Sequence, residues 1–165
     1  MEEKSLIETL ENLIKHYRLL LDLVRKEKNL LIAAQIEELN TSNQIKESML
    51  NKVKSIDSQR EKFAKALAHK YNLQESSVRL LEIAKKTDSK TSEMLISLHK
   101  TLEMLITEIQ EQNQENEIYT QSALKVLNGA LGNLKDTLQG KKTYARKGQM
   151  SQGPESAGNL VSREA

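Results

Sequence analysis

The feature that most constrains the fold is a stripe of mainly apolar residues whose spacing alternates between three and four. That spacing puts all members on one side of an α-helix, and a 3.5-residue period is typical of a helix that packs against another helix. The stripe consists of Leu95, Leu98, Leu102, Leu105, Ile109, Gln112, Asn116, Tyr119, Ala123, Val126 and Ala130. The sequence therefore predicts a long helix over Leu95–Leu138 that has a helical partner.

The stripe changes character halfway along. Amides replace leucine at residues 112–116, small residues follow, and the seam slips by one residue at Val126–Leu127. Gly129 and Gly132 would each cost about 1 kcal/mol of helix stability relative to alanine. One interpretation is a fraying helix, or one that stops at residues 128–129. The other is a marginally stable surface whose small residues admit a close-packed partner helix.

The amides themselves allow two interpretations. Asn113, Gln114 and Asn116 could set the register of a coiled coil, as a polar residue in such a seam often does. They could instead mark the place where the helix leaves its own bundle and meets a partner. The residues alone do not separate these two hypotheses.

Composition supports an elongated helical protein. Of 165 residues, 3% are aromatic, 29% are charged and one is proline; a compact globule of this size normally uses more aromatic residues in its core. A first helix is predicted from near Ser5 to about Ala33, with Ser5 and Glu8 as a capping box. A second helix is predicted to carry the apolar residues from Ile36 to Leu67. With no glycine or proline between them, the two could form one bent rod, but a hairpin is favoured because antiparallel helices bury each other's stripes.

Two more segments complete the predicted fold. Asn72, with Glu75 three residues later, predicts the start of a short third helix. Residues 85–91 are charged and rich in hydroxyls, which favours a loop before the long helix. After Gly140 the chain is rich in Gly, Ser and Gln, so we expect a disordered tail. The predicted fold is thus all-α: an elongated antiparallel bundle or coiled coil of about four helices in residues 1–139, followed by a flexible basic tail in residues 140–165.

Several function classes are disfavoured. No phosphate-binding loop, dinucleotide-binding turn or nucleophile elbow occurs, and the three histidines do not follow a carboxylate at metal-ligand spacing. We therefore expect no enzyme activity, no metal and no cofactor. No apolar run reaches the roughly 20 residues that span a bilayer, and the acidic N-terminus is unlike a signal peptide. We expect a soluble, cytoplasmic protein without stable membrane insertion.

The motif formed by Asn113, Gln114 and Asn116, the leucine-bearing helix after it, and Tyr144 followed by Gly148 resemble the C-terminal signature of the FlgN family. The first predicted helix also resembles the first helix of the family, through Tyr17, Leu20, Leu21 and Glu27. The resemblance covers most of residues 5–148. In one respect the chain departs from the family, which usually has glycine directly after the tail tyrosine, where this chain has Ala145.

This resemblance implies a flagellar type III export chaperone for hook-associated (filament-junction) proteins. Such chaperones bind the C-terminal amphipathic helices of their clients, prevent premature assembly and present the clients to the cytoplasmic domain of the export gate. Tyr144 would be the residue that docks to the gate. The client-binding residues would be Asn113, Gln114, Asn116, Tyr119, Ala123, Val126, Leu127, Ala130, Leu131, Leu134 and Leu138.

Two other hypotheses fit the residues less well. A generic coiled-coil scaffold would self-associate through the Leu95–Leu138 stripe and have no dedicated client. A nucleic-acid- or lipid-binding protein would act through the basic tail, where residues 140–165 hold five basic and two acidic side chains. Against this hypothesis, residues 1–139 are near neutral and offer few aromatic residues on which bases could stack, so we expect no nucleic-acid partner.

Overall fold

The structure is a computed structural model that describes residues 2–73 and 79–138. It contains four helices in chain order: α1 (Glu2–Ile32), α2 (Ile36–Lys70), α3 (Leu80–Ala84) and α4 (Ser89–Leu138). No strand occurs in these two ranges. The all-α prediction is confirmed.

Helices α1 and α2 form a hairpin. Glu3 near the start of α1 pairs with Lys70 at the end of α2, and Glu27 near the end of α1 pairs with Lys46. These two pairs show that the helices run antiparallel. The hairpin, not the bent rod, is therefore the observed arrangement.

The turn between α1 and α2 needs neither glycine nor proline. Ala34 adopts a left-handed backbone conformation with φ 53°. The amide N–H of Ala34 then donates to the carbonyl of Leu31, and that of Gln35 donates to the carbonyl of Leu30. This pair of hydrogen bonds is the Schellman motif, which satisfies the last carbonyls of a helix. An alanine takes the place that glycine usually fills.

Helix α4 packs on the hairpin parallel to α1. One apolar cluster joins Leu6 and Leu10 of α1 to Leu67 of α2 and Leu95 of α4. A second cluster joins Val24 of α1 to Ile109 of α4. Because residue numbers rise together in α1 and α4, the two helices run in the same direction. The core is thus a three-helix, up–down–up arrangement, to which α3 adds Ile83 and Ala84.

Two local predictions were wrong, and a third, the loop over residues 85–91, holds only for residues 85–88. Helix α1 begins at Glu2, so Ser5 lies inside the helix, where its carbonyl accepts a hydrogen bond from Thr9 Oγ1 at 2.7 Å. The contacts of Glu3 with Lys70 and Tyr71 hold this earlier start. Asn72 ends a helix instead of starting one.

At Asn72 the backbone is left-handed, with φ 51°, and the N–H of Leu73 donates to the carbonyl of Ala68. Asparagine tolerates this conformation because its short polar side chain can hydrogen-bond locally. Glu75, the partner predicted for Asn72, lies outside the described residues.

Helix α4 begins earlier than the predicted loop allows. Asp88 Oδ1 accepts a hydrogen bond from the N–H of Thr91 at 3.1 Å, and the Asp88 carbonyl accepts one from Ser92 at 2.8 Å. An aspartate that accepts from the first free amides is a standard N-cap. Hydrogen bonds from the side chain and the backbone N–H of Thr91 lower the pKa of the Asp88 carboxyl. Residues 89–91 therefore belong to the helix.

By its internal contacts the chain divides into two compact units, Met1–Glu117 and Ile118–Ala165. The first unit contains the three-helix core. Of the second unit, the structure describes residues 118–138, which are helical. The boundary predicted at residue 139 and the predicted disorder of residues 140–165 lie at or beyond the end of the described residues and stay predictions.

Candidate functional site

The first part of α4 is committed to the core. Its buried residues are Leu95, Leu102, Ile109 and Asn116. Each lies seven residues after the previous one, so all four occupy the same position of a heptad repeat. The half-buried Leu98 and Leu105 lie between them and pack on the core clusters. Up to Asn116, the predicted stripe is the face that contacts α1 and α2.

The second part of α4 is exposed. Thr120 is half-buried, and every residue from Gln121 to Leu138 is exposed. The exposed fraction of its large apolar side chains ranges from 44% for Tyr119 to 74% for Val126. These side chains are Ile118, Tyr119, Leu124, Val126, Leu127, Leu131, Leu134 and Leu138. We call this group the distal apolar surface.

Leucines dominate the distal apolar surface. Leu124, Leu127, Leu131, Leu134 and Leu138 follow each other at spacings of three and four residues, which places them on one face of a helix. A helix with such a face gains most of its stability by packing that face against another element. In the described residues this face is open to solvent, so it is suited to a partner helix.

The two glycines do not interrupt α4. Gly129 and Gly132 both lie within Ser89–Leu138, so the helix does not stop at residues 128–129. A Cβ atom placed on either glycine would meet nothing within 4 Å. No contact inside the described chain therefore requires glycine at these positions.

The predicted client-binding residues fall into two groups. Asn113 and Gln114 are exposed, as are Tyr119, Ala123, Ala130 and the other members of the set that follow Asn116. Asn116 is 4% exposed, and its Nδ2 donates to the backbone carbonyl of Val24 at 3.0 Å. Asn116 thus contacts α1, and the structure does not bring it together with the others on the exposed surface.

Ion pairs flank the buried amide. Lys28 Nζ lies 2.7 Å from Glu115 Oε2, and Arg25 pairs with Glu108. Both pairs join α1 to α4, but their side chains are about half exposed. Exposed pairs of this kind contribute roughly 0–1 kcal/mol each. These contacts were not foreseen from the sequence, because charges at helical surface spacing normally indicate solvated faces.

Two members of the distal apolar surface, Ile118 and Leu124, do not belong to the set of residues predicted from the sequence. Both are more than half exposed. Leu124 could have been found from its three-residue spacing to Leu127, which belongs to the leucine row that replaces the original seam. Tyr144, the predicted gate-docking residue, lies outside the described residues.

An open groove lies on the three-helix core. It has a volume of about 550 Å³, with Leu10 and Tyr17 on one side and Leu102 and Ile106 on another. Asp57 and Arg60 form an ion pair at its edge, with Nε and Oδ1 2.6 Å apart. Burial and the nearby Asp57 carboxylate raise the pKa of Tyr17. The groove therefore offers a mainly apolar packing surface with an ion pair beside it.

Neither metal ligands nor membrane spans appear in the described ranges. Within residues 2–73 and 79–138, no group of three or more His, Asp or Glu side chains is placed to hold a metal ion. Across the same ranges, no helix combines the length and the apolar character needed to cross a bilayer.

Comparisons with known proteins gave one match. The model of the FlgN protein family matches residues 1–152, which is most of the chain. No curated protein and no solved structure matched. FlgN proteins are flagellar type III export chaperones and not an enzyme family. Since the family match includes the three-helix core and the whole distal apolar surface, this chain belongs to the FlgN family.

Proposed function

We propose that this flagellar export chaperone acts in the cytoplasm, where it binds the C-terminal amphipathic helices of hook-associated (filament-junction) proteins. Binding covers apolar surface on the client that would otherwise drive premature assembly. The chaperone then delivers the client to the cytoplasmic domain of the export gate. The distal apolar surface is the client-binding site, and Tyr144 docks to the gate.

The observation that carries this proposal is the exposure of the distal apolar surface. Eight large apolar side chains within residues 118–138 are at least 44% exposed. Soluble proteins rarely leave extended apolar patches uncovered unless the patch binds a partner. An amphipathic helix is the natural partner, because one helix face can lay its own apolar row along the leucine row. Asn113 and Gln114, which are exposed just before this surface, supply amides for the polar edge of the contact.

The proposal is tested with two matched lysine substitutions on α4. Leu131→Lys places a charge in the middle of the distal apolar surface, whereas Met104→Lys places one at an exposed position of the first unit. Binding of a peptide that contains the C-terminal helix of a hook-associated protein is measured by calorimetry. Losing one buried leucine contact, worth about 2 kcal/mol, predicts a more than tenfold weaker affinity for Leu131→Lys. We expect Met104→Lys to bind within twofold of wild type, a difference of about 0.4 kcal/mol.

Two outcomes contradict the proposal. Wild-type affinity in Leu131→Lys would mean that the client binds elsewhere, with the groove beside Tyr17 as the next surface to test. Self-association of the wild type in sedimentation experiments, lost in Leu131→Lys, together with no binding of the client peptide, would favour the scaffold hypothesis.

Docking to the gate is tested separately, through Tyr144. The substitution Tyr144→Ala should leave client affinity unchanged while it weakens binding to the cytoplasmic domain of the export gate. Tyr119→Ala, within the distal apolar surface, should weaken client binding and leave binding to the export gate unchanged. The cations Lys141, Lys142, Arg146 and Lys147 should make association with an acidic gate surface slower at high salt. Equal gate binding by Tyr144→Ala and wild type would remove Tyr144 from the mechanism.

The residue after Tyr144 offers a second control. This chain has Ala145 where the FlgN family usually has glycine. If a compact backbone after the tyrosine assists docking, Ala145→Gly should bind the gate at least as tightly as wild type. Weaker binding of Ala145→Gly would show that this chain docks by a different local conformation from the rest of its family.

A further inference from the structure

We infer that Asn116 is a positioning residue: its buried hydrogen bond to α1 fixes where the packed part of α4 ends and the distal apolar surface begins. The inference about the α1–α4 contact stands on its own. Its consequence for client binding rests on the proposed function.

The two ends of the packed part of α4 are held in different ways. At the start, the chain itself restrains the helix, because Ile83 and Ala84 of α3 are buried in the core and Asp88 caps α4 a few residues later. Near Asn116 there is no such restraint, because α4 continues to Leu138. There, side-chain contacts with α1 set the position of α4.

Apolar contacts define that position less sharply than a buried hydrogen bond does. The hydrophobic packing of Leu95, Leu102 and Ile109 has no preferred direction. A seam of such residues therefore tolerates small rotations and shifts of the helix. The ion pairs of Arg25 and Lys28 are half-exposed, and long flexible side chains follow their partners over several ångströms. Neither kind of contact distinguishes closely related alignments of α4 on α1.

The amide of Asn116 is directional. Its Nδ2 lies 3.0 Å from the Val24 carbonyl oxygen, at a position that is 4% exposed. A hydrogen bond weakens steeply when its length or angle changes, and leaving a buried amide without its partner is costly. Asparagine in the heptad position of a coiled coil specifies alignment in this way, at some cost in stability. Asn116 follows Ile109 at the same heptad position. It therefore combines a place in the packed seam with a directional hydrogen bond.

The position of Asn116 in the chain links this contact to the exposed surface. The boundary between the two compact units falls between Glu117 and Ile118, one residue after the buried amide. Ile118 is already 57% exposed. The last buried side chain of α4 is therefore immediately followed by the first member of the distal apolar surface.

The experiment compares Asn116→Leu with Asn51→Leu in the full-length chain. The first substitution continues the apolar seam but removes the hydrogen bond, so the bundle should remain folded. The second makes the same change of side chain at an exposed position of α2, outside the proposed client-binding site, and serves as the control. The sequence contains no cysteine, so two introduced cysteines can be spin-labelled without further changes. Labels at the exposed positions Lys26 of α1 and Glu111 of α4 report the alignment of the two helices.

We expect Asn116→Leu to melt at the wild-type temperature or above, and its label-to-label distance distribution to become roughly twice as wide, since the directional contact is lost. Asn51→Leu should keep the narrow wild-type distribution. Client affinity should fall roughly fivefold in Asn116→Leu and not in Asn51→Leu, because a helix that is less restrained just before Ile118 loses more conformational freedom on binding.

A distribution in Asn116→Leu as narrow as that of wild type overturns the positioning role. A broadened distribution with unchanged client affinity overturns the link to the client surface. If the wild-type chain does not bind the client peptide at all, the proposed function fails, while the distance measurement still decides the role of Asn116. If Asn116 only stabilised the fold, Asn116→Leu would lower the melting temperature and leave the distance distribution as narrow as that of wild type.

Discussion

The two parts of helix α4 use the same residue pattern with opposite results. In residues 95–116, apolar side chains at three- and four-residue spacing are buried against α1 and α2. In residues 118–138, a similar row of leucines is exposed. Periodicity therefore identifies an apolar face but does not say what covers it, because the hydrophobic effect favours any partner that removes the face from water. In the first part the partner belongs to the same chain, and in the second we propose that it is the client.

The largest expected effect separates the two parts by their contribution to stability. Leu95 is fully buried, so Leu95→Ala should lower the free energy of unfolding by about 3 kcal/mol. Leu131 is more than half exposed, so Leu131→Ala should change it by less than about 0.5 kcal/mol. Urea denaturation followed by circular dichroism measures both. If the two variants lost equal stability, the distal leucines would have to be covered in the free protein, and the comparison would break down.

The next effect concerns pH and acts on the packed part of the molecule. Hydrogen bonds from Lys70 and Tyr71 lower the pKa of the Glu3 carboxyl to about 2, from the ordinary value of 4.5. A carboxyl whose pKa is lower in the folded state stabilises the fold above the unfolded value and loses that contribution as pH falls. Stability should therefore decline between pH 4.5 and about 2 through this group.

Glu3→Gln tests this expectation. Because the site is partly exposed, we expect a loss of about 1 kcal/mol at pH 7, and a smaller difference from wild type near pH 2. Glu11→Gln, at an exposed position of the same helix, is the control. Client affinity at pH 7 should be the same in all three proteins. A change in client affinity in Glu3→Gln would mean that the start of α1 influences residues 118–138.

A smaller effect is expected at the hairpin turn. Ala34 is left-handed, a conformation that glycine adopts without strain, so Ala34→Gly should raise the free energy of unfolding by about 0.5 kcal/mol after the added flexibility of the unfolded chain is counted. Asn72→Gly, at the equivalent position after α2, should raise the free energy of unfolding by a smaller amount, because asparagine already tolerates this conformation. Thermal unfolding checks both. Destabilisation by Ala34→Gly would contradict the assigned turn.

The smallest effect on the stability of the core is expected from Gly129→Ala and Gly132→Ala. The same two substitutions are the sharpest test of the exposed part of α4. Neither substitution meets another atom, so the unfolding midpoint of the core should not move. Alanine adds about 1 kcal/mol of helix propensity, which should slow hydrogen exchange of the amides near each site roughly fivefold. If the client packs closely at these positions, its affinity should nevertheless fall. Tighter client binding would show that helix preformation matters and close approach does not.

Much of the packed part could be predicted from the sequence. The seam from Leu95 to Ile109 is buried as its spacing indicated, and the hairpin of α1 and α2 is the arrangement that antiparallel stripes favoured. Helix ends were less predictable, because they depend on contacts between distant residues. Glu3 meets Lys70 and Tyr71 only in the folded chain, and these contacts bring the start of α1 forward to Glu2.

The site was only partly predictable. The sequence showed amides within the seam and leucines beyond it, and left two interpretations of the amides open. The structure places Asn116 against the carbonyl of Val24, a partner 92 residues away that no local pattern reveals. It leaves Asn113 and Gln114 exposed. Whether the exposed residues bind a client depends on the shape and sequence of a second protein, which this chain does not encode.

The heptad series in α4 has a consequence for how this protein can change in evolution. Four of the fifty residues of α4 are buried, and none of them lies beyond Asn116. Substitutions after that point meet few constraints from the fold, so selection there can act on partner choice almost alone. A lineage could therefore change residues within 118–138 to follow a changing client while it kept the same three-helix core, and a residue type that relatives retain there would be retained for binding and not for folding.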